Sequence, residues 1–162
     1  MPPITALLHA KDEELRLGRA LETLFPCAEI LVVDHASVDA TRRIARRYGA
    51  RIVSAENDSL RSHYLDVARY EWIFCLAPTE SISEGLQATL LEWSALPSED
   101  IAEAAFSVPV RRQVGECWLE VLAPEIRLIP RHWARWRDGE EFPADDPSAV
   151  ALVGELLRFE FP

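Results

Sequence analysis

The run Ile30-Leu31-Val32-Val33, closed by Asp34, constrains the fold more than any other segment. Four consecutive apolar residues cannot form a half-solvated strand, which alternates. They suit a strand covered on both faces, as in a parallel sheet. The neighbouring segments repeat the theme. Residues 4–8 are a short apolar run, and Asp12-Glu13-Glu14 reads as the acidic first turn of a helix whose inward face is Leu17, Ala20, Leu21 and Leu24, ended near Pro26. A second helix is expected from Asp39 or Ala40 to Tyr48, closed by Gly49. Then follow a strand over 51–54, a weaker helix over 60–68, a strand over 72–76, and a helix from Ser83 that turns Leu86, Leu90 and Trp93 inward. Alternation of this kind implies an α/β fold, with a mostly parallel sheet and helices on both faces.

Beyond Pro97 the pattern changes. Strands are expected over 106–110, 118–122 and 126–129, giving a mixed antiparallel edge. The tail at 148–161 fits a helix through Ala149, Leu152 and Leu156, and a strand through the alternation at 157–161. A chain of 162 residues is sized for one domain.

In a parallel sheet the ligand site lies at the carboxyl ends of the strands. That rule selects the loops His9-Ala10-Lys11, Asp34-His35-Ala36, Ala55-Glu56-Asn57 and Ala77-Pro78-Thr79-Glu80. A net charge of −10 disfavours non-specific attraction to nucleic acid or to an anionic membrane, so no nucleic-acid partner is expected. No apolar stretch reaches the roughly 20 residues of a membrane span, so no transmembrane segment is expected. Cys27, Cys75 and Cys117 are odd in number and lack CxxC spacing, which argues against disulfides or a zinc site and for a reduced, cytoplasmic setting.

Three stretches carry a family resemblance: residues 4–8 with Lys11-Asp12-Glu13-Glu14, the run Ile30 to Thr41 through Val33-Asp34-His35-Ala36-Ser37-Val38-Asp39, and Ile44 to Val53. Together they resemble a family 2 glycosyltransferase, from Ile4 to about Leu96 in good register and thinly to about Trp136. The resemblance implies a GT-A, Rossmann-like fold in which residues 1–96 form a nucleotide-binding-type half and 97–162 a reduced C-terminal half. It implies a nucleotide diphosphate sugar as ligand, Asp34 against the base or ribose, His35 beside it, and Lys11 and Arg61 as candidates for the diphosphate. Ser37 and Asp39 read as helix caps.

The departures are as informative. The family follows the strand at 72–76 with Asp-x-Asp, whose carboxylates hold Mg²⁺ or Mn²⁺. Here the segment is Ala77-Pro78-Thr79, which leaves Glu80 as the one carboxylate for a weak metal site. The family's catalytic base is absent after Trp136; Glu140 and Glu141 are the nearest acids, and a solvated turn explains them equally well. The short second half leaves little chain for an acceptor site. The expectation is therefore a degenerate, catalytically impaired domain acting through partners, a pseudoenzyme. The alternative is a small active transferase moving a sugar to a glycan or lipid-linked acceptor.

Two surface features stand apart. Arg42, Arg43, Arg46 and Arg47 make a basic face on the second helix, expected to be salt-bridged within the chain. Trp133 and Trp136, flanked by His132, Arg135 and Arg137, are candidates for an exposed partner or self-association surface.

Overall fold

The computed structural model describes residues 2–55, 61–102, 105–136 and 140–160, with the side chains of 61–63 and 119–120 outside the description. In chain order the elements are β1 (Ile4–Ala10), α1 (Leu17–Glu22), β2 (Glu29–Asp34), α2 (Thr41–Arg47), β3 (Arg51–Ser54), α3 (Arg61–Asp66), β4 (Trp72–Cys75), β5 (Glu80–Ile82), α4 (Glu84–Ser94), β6 (Phe106–Val114), β7 (Cys117–Pro130), β8 (Val150–Ala151) and β9 (Leu156–Phe159). They build one sheet in the order β3-β2-β1-β4-β7-β6-β9-β5, with β8 beside β6. Strands β1 to β4 are mutually parallel. β7 joins β4 antiparallel and β6 joins β7 antiparallel, so the mixed part of the sheet is the second half of the chain.

The uninterrupted apolar strands are buried on both sides. Ile4, Ala6 and Leu8 of β1 face a core with α1 and α4, while Leu7 faces a second core with Tyr64 and Leu65 of α3. Trp93 of α4 packs edge-on against Trp72, ring centroids 4.9 Å apart. The cap of α4 is Ser83, whose Oγ accepts from Leu86 N and from Glu155 N. This one hydroxyl ties the helix start to the tail.

Several expectations need correction. The acidic residues 12–14 precede α1 rather than opening it. Asp12, at φ +50°, accepts from Val38 N at 2.8 Å, and Glu14 accepts from Ala40 N at 2.9 Å, so these carboxylates clasp the loop after β2. The two strands expected over 118–129 are one, β7. Pro124 reads as a break because it cannot donate to a ladder, but it falls at a register shift opposite Val108 and Val110, where no donor is required. In the tail the strand reading holds at β9; the helix reading does not. Trp136 is not a surface residue. It is 1% exposed and its Nε1 donates to Glu140 O. Trp133 is half-buried against the same core, and Arg137 lies outside the described residues.

Gly154 is required where β9 approaches α4. Its φ is +113°, and a Cβ there would lie 2.4 Å from Leu86 N and 2.5 Å from Leu86 Cα. Both objects are backbone, so neither can swing away. Gly154→Ala is expected to cost at least about 2 kcal/mol through strain and overlap, read as a lower denaturant midpoint. Gly49→Ala, also at positive φ (+78°) but with nothing within 4 Å, provides the comparison with strain and no overlap.

Candidate functional site

The carboxyl ends of β1, β2 and β4 frame a cleft of about 540 Å³. The end of β1 supplies His9, Ala10 and Lys11, and the loop after β2 supplies His35. Tyr64 comes from α3, Ala77, Pro78 and Thr79 from the turn after β4, and Glu140 and Glu141 from the segment before the tail. The cleft opens at the end of the sheet that the sequence rule for parallel sheets selects. Among the sequence-expected residues Lys11, His35, Glu140 and Glu141 meet at this cleft. Arg61 opens α3, the helix that carries Tyr64, but its side chain lies outside the description.

Asp34 ends β2 with its side chain fully buried. Its Oδ2 accepts from Arg42 Nε at 2.5 Å and from Ser37 N at 3.4 Å, whereas Oδ1 is buried with no hydrogen-bond partner among the described residues. Burial pushes the carboxyl up, but hydrogen bonds from Ser37 and Arg42 outweigh it and hold the group below its ordinary range. Asp34 is thus an ionised acceptor with an unfilled oxygen. The nearby caps differ from expectation in one respect. Asp39 Oδ1 does accept from Thr41 N at the start of α2, while Ser37 Oγ accepts from Asp12 N across the clasp.

His9 and His35 form a pair that sequence reading did not link. His9 Nδ1 and His35 Nε2 are 2.9 Å apart, a contact that needs one N–H and one lone pair. Tyr64 closes on His9 edge-on at 5.6 Å. Burial, then His35, lower the His9 imidazole to about 4, so His9 is neutral at pH 7. Lys11 is solvent-exposed on the cleft and has no ion-pair partner among the described residues. Glu141 lies on the rim, and burial of its carboxyl holds it above the ordinary range.

Glu80 is not available as a metal ligand. It is 1% exposed; Oε1 accepts from Ala77 N at 2.9 Å and Arg127 Nη1 at 2.7 Å, and Oε2 from Arg127 Nη2 and Arg158 Nη2, each at 2.9 Å. Arg127, also 1% exposed, further donates to Cys75 O and Glu125, and its guanidinium lies 4.2 Å from the Phe142 ring centre. A divalent cation bridging a diphosphate needs at least one carboxylate with open lone pairs. Ala77 and Thr79 supply none, and every oxygen of Glu80 already faces donors. The residues at this position do not fit Mg²⁺ or Mn²⁺. Sequence reading missed this pair: an arginine in the otherwise apolar stretch Ile126-Arg127-Leu128-Ile129 is a signal that could have suggested it, but its partner 47 residues away is not visible there.

These carboxylates make stability acid-sensitive. Glu80, despite burial, is held below its ordinary 4.5 by Arg127, and Asp34 below 3.8 as described. A depressed folded value contributes stability above the unfolded value and loses it as pH falls through the folded one. The thermal midpoint is expected to be flat from neutral pH to about 5 and to fall progressively below about 4. A midpoint that rises on acidification would contradict the pairing.

No protein-family model matches the chain. Among curated proteins, it is 39% identical over 46 residues to the lipopolysaccharide core biosynthesis glycosyltransferase LpsC of Rhizobium meliloti, covering 28% of this chain and 17% of that protein. It is 32% identical over 59 residues to a 4,4'-diaponeurosporenoate glycosyltransferase of Staphylococcus aureus, covering 35% of this chain and 16% of that one. The matched stretch thus spans about a sixth of the length of these relatives. Among solved structures, S. aureus TarS in complex with UDP-GlcNAc superposes with a TM-score of 0.52 at 18% identity over 68% of this chain and 34% of that chain. Glucosyl-3-phosphoglycerate synthase from Mycobacterium tuberculosis, in complex with Mn²⁺, UDP and phosphoglyceric acid, gives 0.52 at 15% identity over 81% and 56%. The fold is that of a GT-A, family 2-like glycosyltransferase.

Proposed function

We propose that this family 2-like GT-A fold holds a nucleoside diphosphate, alone or as the donor part of a nucleotide sugar, in the cleft at the ends of β1, β2 and β4, with no bridging divalent cation. The observation that carries the reading is Asp34: an ionised, buried carboxylate ending β2, with one oxygen unpartnered. A buried acceptor left unmade costs about 1–3 kcal/mol. Asp34 is fully enclosed next to His35 and does not itself line the cleft, so a base N–H or a ribose hydroxyl relieves that cost only where the loop after β2 shifts to admit it. Lys11 supplies an exposed cation for the diphosphate, and Arg61 is the further candidate. The nucleotide and nucleotide sugar bound by the structural neighbours support the ligand class.

Sugar transfer also requires stabilisation of the departing diphosphate, which a metal supplies in metal-dependent enzymes. Replacement of the family's two aspartates by Ala77 and Thr79, with Glu80 committed to Arg127, removes that device. The domain is therefore read as a nucleotide-binding module with impaired transfer. One observation favours the alternative of an active transferase. Glu141 lines the cleft, and burial holds its carboxyl above the ordinary range, the direction in which a carboxylate becomes a stronger base.

Thermal-shift titration with uridine, guanosine, cytidine and adenosine diphosphates, each in EDTA and in Mn²⁺, tests the reading. One nucleoside diphosphate at a hundredfold its Kd should stabilise by about 2.7 kcal/mol, equally in both media. No shift with any of them contradicts nucleotide binding. A shift seen only with Mn²⁺ contradicts metal independence.

A further inference from the structure

The expectation that the arginines of α2 pair within the chain holds for Arg42 alone. Arg43, Arg46 and Arg47 are exposed, so water satisfies them. Most other arginines whose side chains are described find a carboxylate: Arg51 and Arg69 find Glu29, Arg111 finds Glu155, Arg112 finds Glu160, and Arg131 finds Glu71. Arg19 differs from both groups. It is partly buried on α1, it makes no ion pair among the described residues, and its Nε and Nη2 are enclosed with no hydrogen-bond partner there, which leaves Nη1 as the nitrogen open to solvent. It stacks instead on an aromatic ring, with Cζ 3.8 Å from the centre of Phe159. Burial, and then the charge of Arg16 one turn away, pull the guanidinium below its ordinary value. Glu22, the acid one turn further along α1, is exposed and not paired with it. An anion here would relieve a partly buried cation that the described residues leave without a counter-charge.

The surface around Phe159 supplies the rest of a binding site. Gln113 of β6 pairs with Trp118 of β7 on one side and with Phe159 of β9 on the other, so the three side chains stand in a row on one face of the sheet. Trp118 is 43% exposed and packs edge-on against Phe159, ring centroids 5.8 Å apart. Gln113 is partly exposed, and its amide makes no hydrogen bond among the described residues. Neighbouring acids are held by other arginines: Glu160 pairs with Arg112, and Glu13 with Arg16. An exposed indole, a free amide and an unpaired guanidinium together suit a sugar that carries an anionic group. The indole packs against the C–H face of the ring, the amide meets hydroxyls, and the guanidinium meets a carboxylate or phosphate.

We propose that Arg19, Gln113, Trp118 and Phe159 form a subsite for an acid sugar, a uronate or a sugar phosphate, beside the nucleotide cleft. Two connections set it there. Phe159 N donates to the carbonyl of Thr79, and Thr79 lines the cleft. Arg16, one turn before Arg19, holds Glu13, which lines the cleft as well. With a nucleoside diphosphate seated as proposed above, on which this placement rests, the phosphates lie by the turn at 77–79 and the distal end leaves past Thr79 toward Arg19. None of the four residues lines the cleft itself, so the two ligands do not compete for side chains.

NMR titration of the isotopically labelled whole chain tests it, read at the Trp118 indole N–H and the Arg19 Nε–H. The probes are sodium glucuronate, glucose 1-phosphate and glucose, at matched ionic strength. Both acids should move both signals, and the tighter of the two assigns the anionic group as carboxylate or phosphate. Glucose should bind about 10- to 100-fold more weakly, the worth of a hydrogen bond to a charged group. Arg19→Gln should erase the preference for the acids, Arg19→Lys should keep part of it, and Trp118→Ala should weaken all three probes severalfold. An unchanged amide spectrum away from the site excludes misfolding in these variants. Glucose binding as tightly as the acids, a preference that survives Arg19→Gln, or acids that leave both signals unmoved overturns the proposal. So does undiminished affinity in Trp118→Ala. A separate titration with nucleoside diphosphate keeps the two readings apart. Acids that bind where no nucleotide does contradict the cleft reading alone, and a nucleotide that binds where neither acid does contradicts the subsite alone.

Discussion

Glu80→Ala is expected to lower stability by about 3–5 kcal/mol, the cost of leaving a buried guanidinium without its counter-charge. For a chain of this size that is a fall of roughly 10 °C in thermal midpoint. The reason is geometric: Arg127 is almost fully enclosed, its two Nη groups are directed at the two Glu80 oxygens, and Glu125, half-solvated, can replace only part of that field. A double variant, Glu80→Met with Arg127→Leu, should recover most of the loss, because it removes both charges rather than one. Denaturant unfolding of the three proteins gives the coupling. If Glu80 were a metal ligand with no structural task, the single variant would be nearly as stable as wild type and the double would gain nothing.

The second large effect concerns ligand binding. Asp34→Asn should weaken nucleoside diphosphate binding about 10- to 100-fold, since a hydrogen bond to a charged acceptor is worth about 1.5–3 kcal/mol and each 1.4 kcal/mol is tenfold. The side chain keeps its size, but a donor NH₂ group would stand where an acceptor oxygen is needed, or face Arg42. Arg42→Gln is the companion, because Arg42 holds Oδ2 while Oδ1 is the free oxygen. Binding by Arg42→Gln should change far less than by Asp34→Asn. Equal losses in calorimetric titration would mean that Asp34 acts through positioning the loop and not through ligand contact.

What was legible in the sequence was local. Ile30 to Asp34 fixed a buried parallel strand with an acid at its carboxyl end, because both facts reside in five adjacent residues. Leu86, Leu90 and Trp93 fixed the inner face of α4 by helical spacing. The misreadings come from long-range terms. Pro124 breaks a strand pattern unless a bulge elsewhere in the ladder absorbs it. Trp136 looks exposed among polar neighbours, yet the second core covers it and Glu140 O accepts its Nε1–H. Glu80 offers a carboxylate at a family metal position, and nothing near it in sequence announces Arg127 and Arg158. His9 and His35 each stood in a loop chosen by the strand-end rule, but their 2.9 Å contact depends on the register that sets Ala10 beside Asp34.

The central claim is that the cleft binds a nucleoside diphosphate through Asp34 and the strand ends without a divalent cation. Its most direct test is an NMR titration of isotopically labelled protein with the nucleoside diphosphate, in EDTA throughout. Shifts are expected to concentrate at the amides of residues 9–11, 35–37, 77 and 79 and at the imidazoles of His9 and His35, saturating with one ligand per chain. Spectra unchanged in EDTA that respond only after Mn²⁺ is added, or shifts confined to the opposite end of the sheet, would contradict it.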